Sequence, residues 1–478
     1  MKKIFWRILL TGACIASQSS LAYNLQTDPF NVLNNSPESP AKNMINKRCD
    51  FPALPPSPLT LADAVERALC FNPQTKLAWI NVKMQAATFG IGLAAYLPTV
   101  NARGSVNITE RSSTYTSNAA YNTDVNGIEL NGSLNLNWVL YDFGLRAANL
   151  ESARQILNAA NASQDDVIQT TFLNTAQAFY ETQSTSALLS ANLEAEHAAE
   201  KSLNAAEAKY LAGIGSLADK LQAQTAHAQA ISTMVQAEGD LRSAMGNLNI
   251  LMGLNASVTL KLTEINDSAI DEPLFEKAVD RLIEQTEHDH PKILSAQAQL
   301  KAAKARIDLV RAEGLPRLSL TASSDYFKTN ATPINNQGSS EQTVNSGRVG
   351  IQLDIPLFEG FGRHYKILEA ESQAQTKEAE LENIQQQVAL AVWKSYQALG
   401  TGLENLKAIK SLIQSAQQSF DVAVGRYKAG VGNIIELLKA QTDLANARQQ
   451  KLLSMTRWQA ARVKLAASIG NLSMETIH

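Results

Sequence analysis

Few residues in this chain are of a type and spacing that could do chemistry. The densest group, Glu287-His288-Asp289-His290-Pro291, has the imidazole and carboxylate donors of a divalent-metal site. It lies at a bend between two helical patterns, and its polar residues are read as a hinge. His197 and His227 lack ligand-spaced partners on their helices and are read as side chains on a solvated face. Gly213-Ile214-Gly215 and Gly430-Val431-Gly432 have no preceding strand, third glycine or following Lys-Ser/Thr, which excludes a phosphate loop. They read instead as turns that reverse a helix, where glycine permits positive φ. No nucleophile, base and orienting group cluster together, so no enzyme, catalytic residue, metal or cofactor is expected.

The turns belong to a duplicated unit. Asn72-Pro73 matches His290-Pro291, and Tyr96-Leu97-Pro98 matches Gly314-Leu315-Pro316. Leu140-Tyr141-Asp142-Phe143-Gly144 resembles Leu357-Phe358-Glu359-Gly360-Phe361-Gly362, Tyr210 through Gly215 resembles Tyr427 through Gly432, and Gly253 matches Gly470. The register stays at 217 or 218 residues throughout, the signature of an internal repeat. The first repeat is placed at 59–272 and the second at 273–478, each ordered as helix, β-hairpin and long helical hairpin. Pro98 and Pro316 end the first helices, at 59–97 and 274–315. From Asp142 to Tyr210 and from Phe361 to Tyr427 the sequence reads as continuous helix, on the order of 100 Å at 1.5 Å per residue. The shorter return helices leave length for the first helices to stack against, which predicts a coiled-coil-like rod with strands at one end and glycine turns at the other.

Ile128, Leu130, Leu134, Leu136, Trp138 and Leu140 alternate with polar residues, as do Val349, Ile351, Leu353, Ile355 and Leu357. Their partners contain Val106 and Ile108 in one repeat and Leu318 and Leu320 in the other, and the polar stretches Ser112–Asn126 and Thr329–Ser346 are read as exposed loops. One apolar face with long polar loops is the pattern of outer-membrane strands. Beyond the first residues no run of about 18 apolar residues occurs, so any membrane passage uses strands. Four strands cannot close a barrel, and open edges are not tolerated in lipid, so several subunits must share one.

Lys2, Lys3 and Arg7 precede and interrupt an apolar run from Ile4 to Ala16, which is followed by the small residues of a cleavage site at Ser20-Leu21-Ala22, a secretory signal over 1–22. A Pro-rich periplasmic segment over 23–58 follows. Thr11-Gly12-Ala13-Cys14 is a poor lipoprotein box, because Thr stands where Leu is usual. Cleavage after Ala22 leaves Cys49 and Cys70, an even pair in an oxidising compartment; a disulfide and two free thiols are the alternatives. Of the 478 residues 45% are hydrophobic and 18% charged, with a net charge of −3, which argues against nucleic-acid binding.

With these motifs on the page, the sequence resembles the TolC-like family of outer-membrane efflux and secretion ducts over nearly the whole mature chain. The resemblance rests on Asn72-Pro73, Tyr96-Leu97-Pro98, Leu357-Phe358-Glu359-Gly360-Gly362 and the paired glycine turns after Tyr210 and Tyr427. It implies an α+β membrane protein whose four strands per chain join a twelve-stranded barrel in a homotrimer in the outer membrane. Long antiparallel helical hairpins form a periplasmic tunnel that narrows at the glycine turns and docks, through an adaptor (membrane fusion) protein, on an inner-membrane ABC or proton-driven transporter. The Leu59-to-Pro73 start, with its cysteine, looks closer to members serving type I secretion. The function so implied is a passive exit duct of a tripartite system, exporting a polypeptide. The alternatives are a multidrug or small-molecule outlet and, from another class, a structural periplasmic coiled-coil protein.

The resemblance also points to a gate. Glu436, Lys439, Asp443, Asn446 and Gln450 form one stripe of the last helix, flanked by Ile434, Ile435, Leu437 and Leu438 for packing. Glu436 corresponds to Asp219. An acidic ring at the position of Glu436 lines the aperture of related channels and attracts cations; their second acidic position is Lys439 here, and an i,i+3 pair of Glu436 with Lys439 would partly cancel the ring. Tyr427 and Asp219 match two members of the family's closing network, while Gly432 occupies the position of its arginine.

Overall fold

The computed structural model describes residues 28–35, 49, 51–52, 54–114, 116, 123–263, 279–333, 340–470 and 472. The signal at 1–22, Cys14 and most of the Pro-rich segment lie outside them. A 3-10 turn over Val32–Asn35 precedes α1 (Leu61–Phe71), α2 (Pro73–Ala94), β1 (Thr99–Ser113), β2 (Thr123–Tyr141), α3 (Leu145–Leu211) and α4 (Leu217–Leu251). The second repeat supplies α5 (Val279–Asp289), α6 (Pro291–Ala312), β3 (Arg317–Pro333), β4 (Ser340–Asp354), α7 (Gly362–Lys428) and α8 (Ile434–Ile469). The two long helices, α3 and α7, have 67 residues each. The order of elements is the same twice over, as the repeat requires.

Contacts divide the chain into two compact units that cut across the repeats. One takes Met84–Leu157 and Ala298–Ala379 with N-terminal residues up to Asn35; the other takes Ser36–Lys83, Asn158–Gln297 and Glu380–His478.

The first unit holds a single antiparallel sheet in the order β1-β2-β3-β4. Its register places Val100 opposite Leu136, Val106 opposite Leu130 and Ile108 opposite Ile128, and β3 continues with Leu320 opposite Ile351 and Ala322 opposite Val349. The apolar side chains of the alternating pattern therefore share one face, and Ile108, Val349 and Ile351 are among the most exposed apolar residues of the chain. Among the described residues, the outer edges of β1 and β4 are unpaired. The strands also run further than the apolar alternation, through Ser112 and Ser113, Thr123–Asn126, Thr329–Pro333 and Ser340–Ser346. Those stretches, read as loop, are strand: the polar residues are held by ladder hydrogen bonds and need no buried face.

Each hairpin joins its long helix through a sharp corner. Phe143 and Gly144 adopt φ of 51° and 99°, and Gly360 and Phe361 adopt 60° and 68°. Asp142 ends the first corner. Its carboxylate accepts Arg146 N–H at 3.1 Å and Gly144 N–H at 3.4 Å, and pairs with Arg146 Nε at 2.6 Å. Arg146 also donates to the Val139 carbonyl at 2.8 Å and lies 4.7 Å from the Tyr96 ring centre. Arg363 pairs with Glu359 at the equivalent corner, so the recurring acid of both motifs is the start of a helix and the partner of an arginine one turn on.

In the second unit α1 sits in a core of Leu59, Val65, Leu69, Phe172, Phe179, Leu248 and Met252. Its N-terminus is a capping box of Thr60 and Asp63. The repeat-2 counterpart gathers Leu282, Val392, Leu399, Met455, Trp458, Leu465 and Ile469 around α5. Leu59 pairs in parallel with Leu262. Cys49 and Cys70 are bonded, with S–S 2.03 Å, and the Arg67 guanidinium donates to the Pro52 carbonyl at 2.7 Å.

Candidate functional site

Both Gly-x-Gly turns lie in the second unit and are built alike. Ile214 and Gly215 N–H donate to the Lys209 carbonyl at 3.0 Å; Val431 and Gly432 N–H donate to that of Arg426 at 3.1 and 3.0 Å. These bonds satisfy carbonyls that a helix end leaves without partners. The two glycines of each turn serve different needs. Gly213 and Gly430 have φ of +75° and +77°, whereas Gly215 and Gly432 have ordinary φ but no room: a Cβ would lie 3.0 Å from Lys209 Cβ or Arg426 Cβ. Positive φ, expected of both, belongs to the first alone.

The helices that leave the turns are capped in matching fashion. Ser216 Oγ accepts Asp219 N–H at 3.1 Å while the Asp219 carboxylate accepts Ser216 N–H at 3.4 Å. Asn433 Oδ1 accepts Glu436 N–H at 2.7 Å. Asp219 and Glu436 thus occupy the third position of capped helices, where a carboxylate is favoured by the unpaired N–H groups and the dipole.

Beyond the caps their partners differ from the spacing argument. Glu436 Oε1 forms an ion pair with Arg426 Nε at 3.1 Å, on the other side of its own turn. Lys439 reaches forward and lies 3.1 Å from both Asp443 oxygens. The i,i+3 pairing of Glu436 with Lys439 is therefore corrected to two pairs, because the i,i+4 carboxylate and the arginine across the turn are better placed. Glu436, Lys439, Asp443, Asn446 and Gln450 are all exposed. Ile434 and Leu437 pack inward, while Ile435 stands outward at 57% exposure.

Tyr427 is buried with Ala206, Ala223, Ala423, Ile434, Leu437 and Ala440, a cluster that joins the two hairpins. Burial raises its phenol pKa first, and the Asp219 charge raises it further. Its equivalent Tyr210 is 38% exposed. Lys209, which the spacing argument passed over, donates to the Tyr427 carbonyl at 2.9 Å and lies 3.7 Å from its ring centre. The repeat offset makes Lys209 the counterpart of Arg426, each just before a tyrosine, a signal present in the sequence.

The histidine group holds no metal geometry: among the described residues, no three His, Cys, Asp or Glu come together as ligands. His290 is buried, and its Nδ1 accepts Lys292 N–H at 3.2 Å. Asn72, its repeat equivalent, accepts Gln74 N–H at 2.9 Å with Oδ1. Each stands just before the proline that opens a helix, and because Nδ1 of His290 accepts an N–H, the bond requires it unprotonated. Burial, helped by Lys292, pulls the imidazole down to about 4, below the 6.5 of the unfolded chain. The unfolded state then binds more protons across that window, so stability is lost as pH falls from about 6.5 to about 4, by up to roughly 3 kcal/mol. His290→Asn should flatten that slope in urea melts taken from pH 7 to 4; an unchanged slope would refute this role. His227 Nε2, read as solvated, is half-buried and lies 2.9 Å from Glu196 Oε1 of α3. His197 is exposed, 3.2 Å from Glu200.

The model of the family described as outer membrane efflux protein matches residues 64–254 and 282–471, one match per repeat. The chain belongs to this family. Protein CyaE of Bordetella pertussis is 28% identical over 440 residues, covering 92% of this chain and 90% of that protein. Outer membrane protein TolC of Escherichia coli K12 is 23% identical over 363 residues, 74% of this chain and 72% of that one. The crystal structure of the CmeC outer membrane channel of Campylobacter jejuni has the same fold, with a TM-score of 0.75 at 17% identity over 86% of this chain and 85% of that one. As a member of the family the chain is an outer-membrane channel of efflux and secretion systems, with a periplasmic helical domain, and not an enzyme. Channels of this family are trimeric and work with an adaptor and an inner-membrane transporter.

Proposed function

We propose that this channel is the exit duct for a polypeptide in a type I secretion system, passive in itself and closed at its glycine turns. The observation that carries the polypeptide reading is the start of the mature helical region, Leu59 to Pro73, with its cysteine; that stretch resembles members serving type I secretion. Cys70 there is bonded to Cys49. An adaptor and an inner-membrane ABC or proton-driven transporter would supply the energy, since the chain has no nucleotide-binding motif. The gate would comprise Asp219, Tyr427, Glu436 and Lys439 with the turn glycines. With Glu436 and Asp443 each held by a cation, its cation selectivity should be weak.

A small-molecule outlet is the second reading, favoured by the efflux proteins that define the family model. A strain lacking the gene separates the two. We expect one or a few large polypeptides to vanish from the culture supernatant by mass spectrometry, with sensitivity to dyes and antibiotics unchanged. An intact supernatant with raised sensitivity would replace this reading with the outlet.

A further inference from the structure

A ladder of polar contacts ties α3 of the first repeat to the end of the second. Arg448 donates to Glu194 Oε2 at 3.3 Å and, from its other nitrogen, to Gln417 Oε1 at 3.2 Å. Gln441 Nε2 donates to the Ala195 carbonyl at 3.4 Å, and Gln441 Oε1 accepts from Ser202 Oγ at 3.3 Å. Lys209 makes the last contact, to the Tyr427 carbonyl and ring. On α3 the rungs at 195, 202 and 209 are seven residues apart, and on α8 so are 441 and 448. That is the period at which two supercoiled helices keep one seam facing the other. Between the lower rungs the seam is filled by Ala206, Ala440, Leu437 and Tyr427.

The last rung is the one placed to hold the turns together. A carbonyl at the C-terminal end of a helix carries partial negative charge, and Tyr427 adds the negative face of its ring. One ammonium meets both. Its counterpart Arg426 does not reach across, being held by Glu436 of its own hairpin. The Tyr427 hydroxyl has no hydrogen bond among the described residues, and the Asp219 carboxylate is engaged by Ser216. The Tyr–Asp bond that the family resemblance implies is thus not what joins the hairpins here.

We propose that Lys209 is the latch between the two hairpins, the last polar contact from α3 towards the turns, gripping the Tyr427 carbonyl and ring at the end of α7. Tyr427 acts through its backbone carbonyl and ring face, not its hydroxyl. This rests on the reading of the glycine turns as the gate.

The test uses the full-length trimer with two readouts: open probability in planar bilayers, and amide exchange of peptides covering both turns. Lys209→Met keeps the aliphatic stem and removes the charge. It should speed exchange in both turns and raise open probability about tenfold, the worth of one charge-assisted hydrogen bond. Lys209→Arg should restore both to near the parent. Unchanged exchange in Lys209→Met would overturn the latch, as would Lys209→Arg loosening the turns as much as Lys209→Met. Faster exchange with unchanged conductance would uphold the latch and remove the gate.

Discussion

Asp142→Ala is expected to destabilise the assembled channel by about 3–5 kcal/mol, because it strips a buried ion pair of one partner. Arg146 keeps its bonds to the Val139 and Leu140 carbonyls but loses the carboxylate it pairs with. Both side chains are nearly buried, at 13% and 9% exposure, so water cannot replace the carboxylate. The same substitution removes the acceptor for Gly144 and Arg146 N–H, a helix cap worth about 1 kcal/mol in its own right. Asp142→Asn keeps an acceptor at the cap and should fall in between. The repeat provides the control: Glu359 is exposed and its pair with Arg363 lies nearer the surface, so Glu359→Ala should cost no more than about 1 kcal/mol. Thermal unfolding of the detergent-solubilised trimer measures all three. Equal losses at the two corners would show that burial does not decide the cost.

That asymmetry marks the limit of what the repeat reveals before a structure exists. The 217-residue register reports which residues correspond, and it recovered the order of elements, both glycine turns and the acid of each corner. Correspondence says nothing of burial. Tyr210 and Tyr427, Asp142 and Glu359, and Lys209 and Arg426 are equivalent in sequence, yet one of each pair is turned inward or across to the other repeat. The strands were legible only as far as apolar alternation runs; their outer parts are mostly polar, with Val125 and Val344 isolated among them, and ladder hydrogen bonding leaves no mark on residue type.

The candidate gate was legible in position and less so in pairing. Spacing on one helix finds Glu436, Lys439 and Asp443 on a stripe, and three or four residues apart are equally good neighbours. What decides is the residue across the turn. Arg426 takes Glu436 and frees Lys439 for Asp443, a choice set by how tightly Gly430-Val431-Gly432 folds back. His290 is the reverse case: its company of acids looked like metal chemistry, and its equivalence to Asn72 identifies a helix start.

Gly253→Ala should cost roughly 2–5 kcal/mol, well above Gly213→Ala, although the two share nearly the same backbone. Gly253 has φ +71° and Gly213 has φ +75°, a conformation that costs an L-residue about 1–2 kcal/mol. Around Gly213 there is open space, so that strain is the whole penalty. A Cβ on Gly253 would lie 2.8 Å from Phe71 Cβ and 3.3 Å from its carbonyl oxygen. Phe71 is the last residue of α1, fixed by the Cys49–Cys70 bond beside it and by the Asn72 amide, which donates to the Leu251 carbonyl, so the neighbour cannot yield cheaply and overpacking of about 1–3 kcal/mol adds to the strain. Gly470, the counterpart at φ +81°, approaches His290 and Pro291 at 3.2 Å and should fall between. Urea melts of the three variants give the order directly. A Gly253→Ala loss no greater than that of Gly213→Ala would mean that the bend of the first helix pair shifts as a unit, and that the close approach of these glycines does not hold the helices in place.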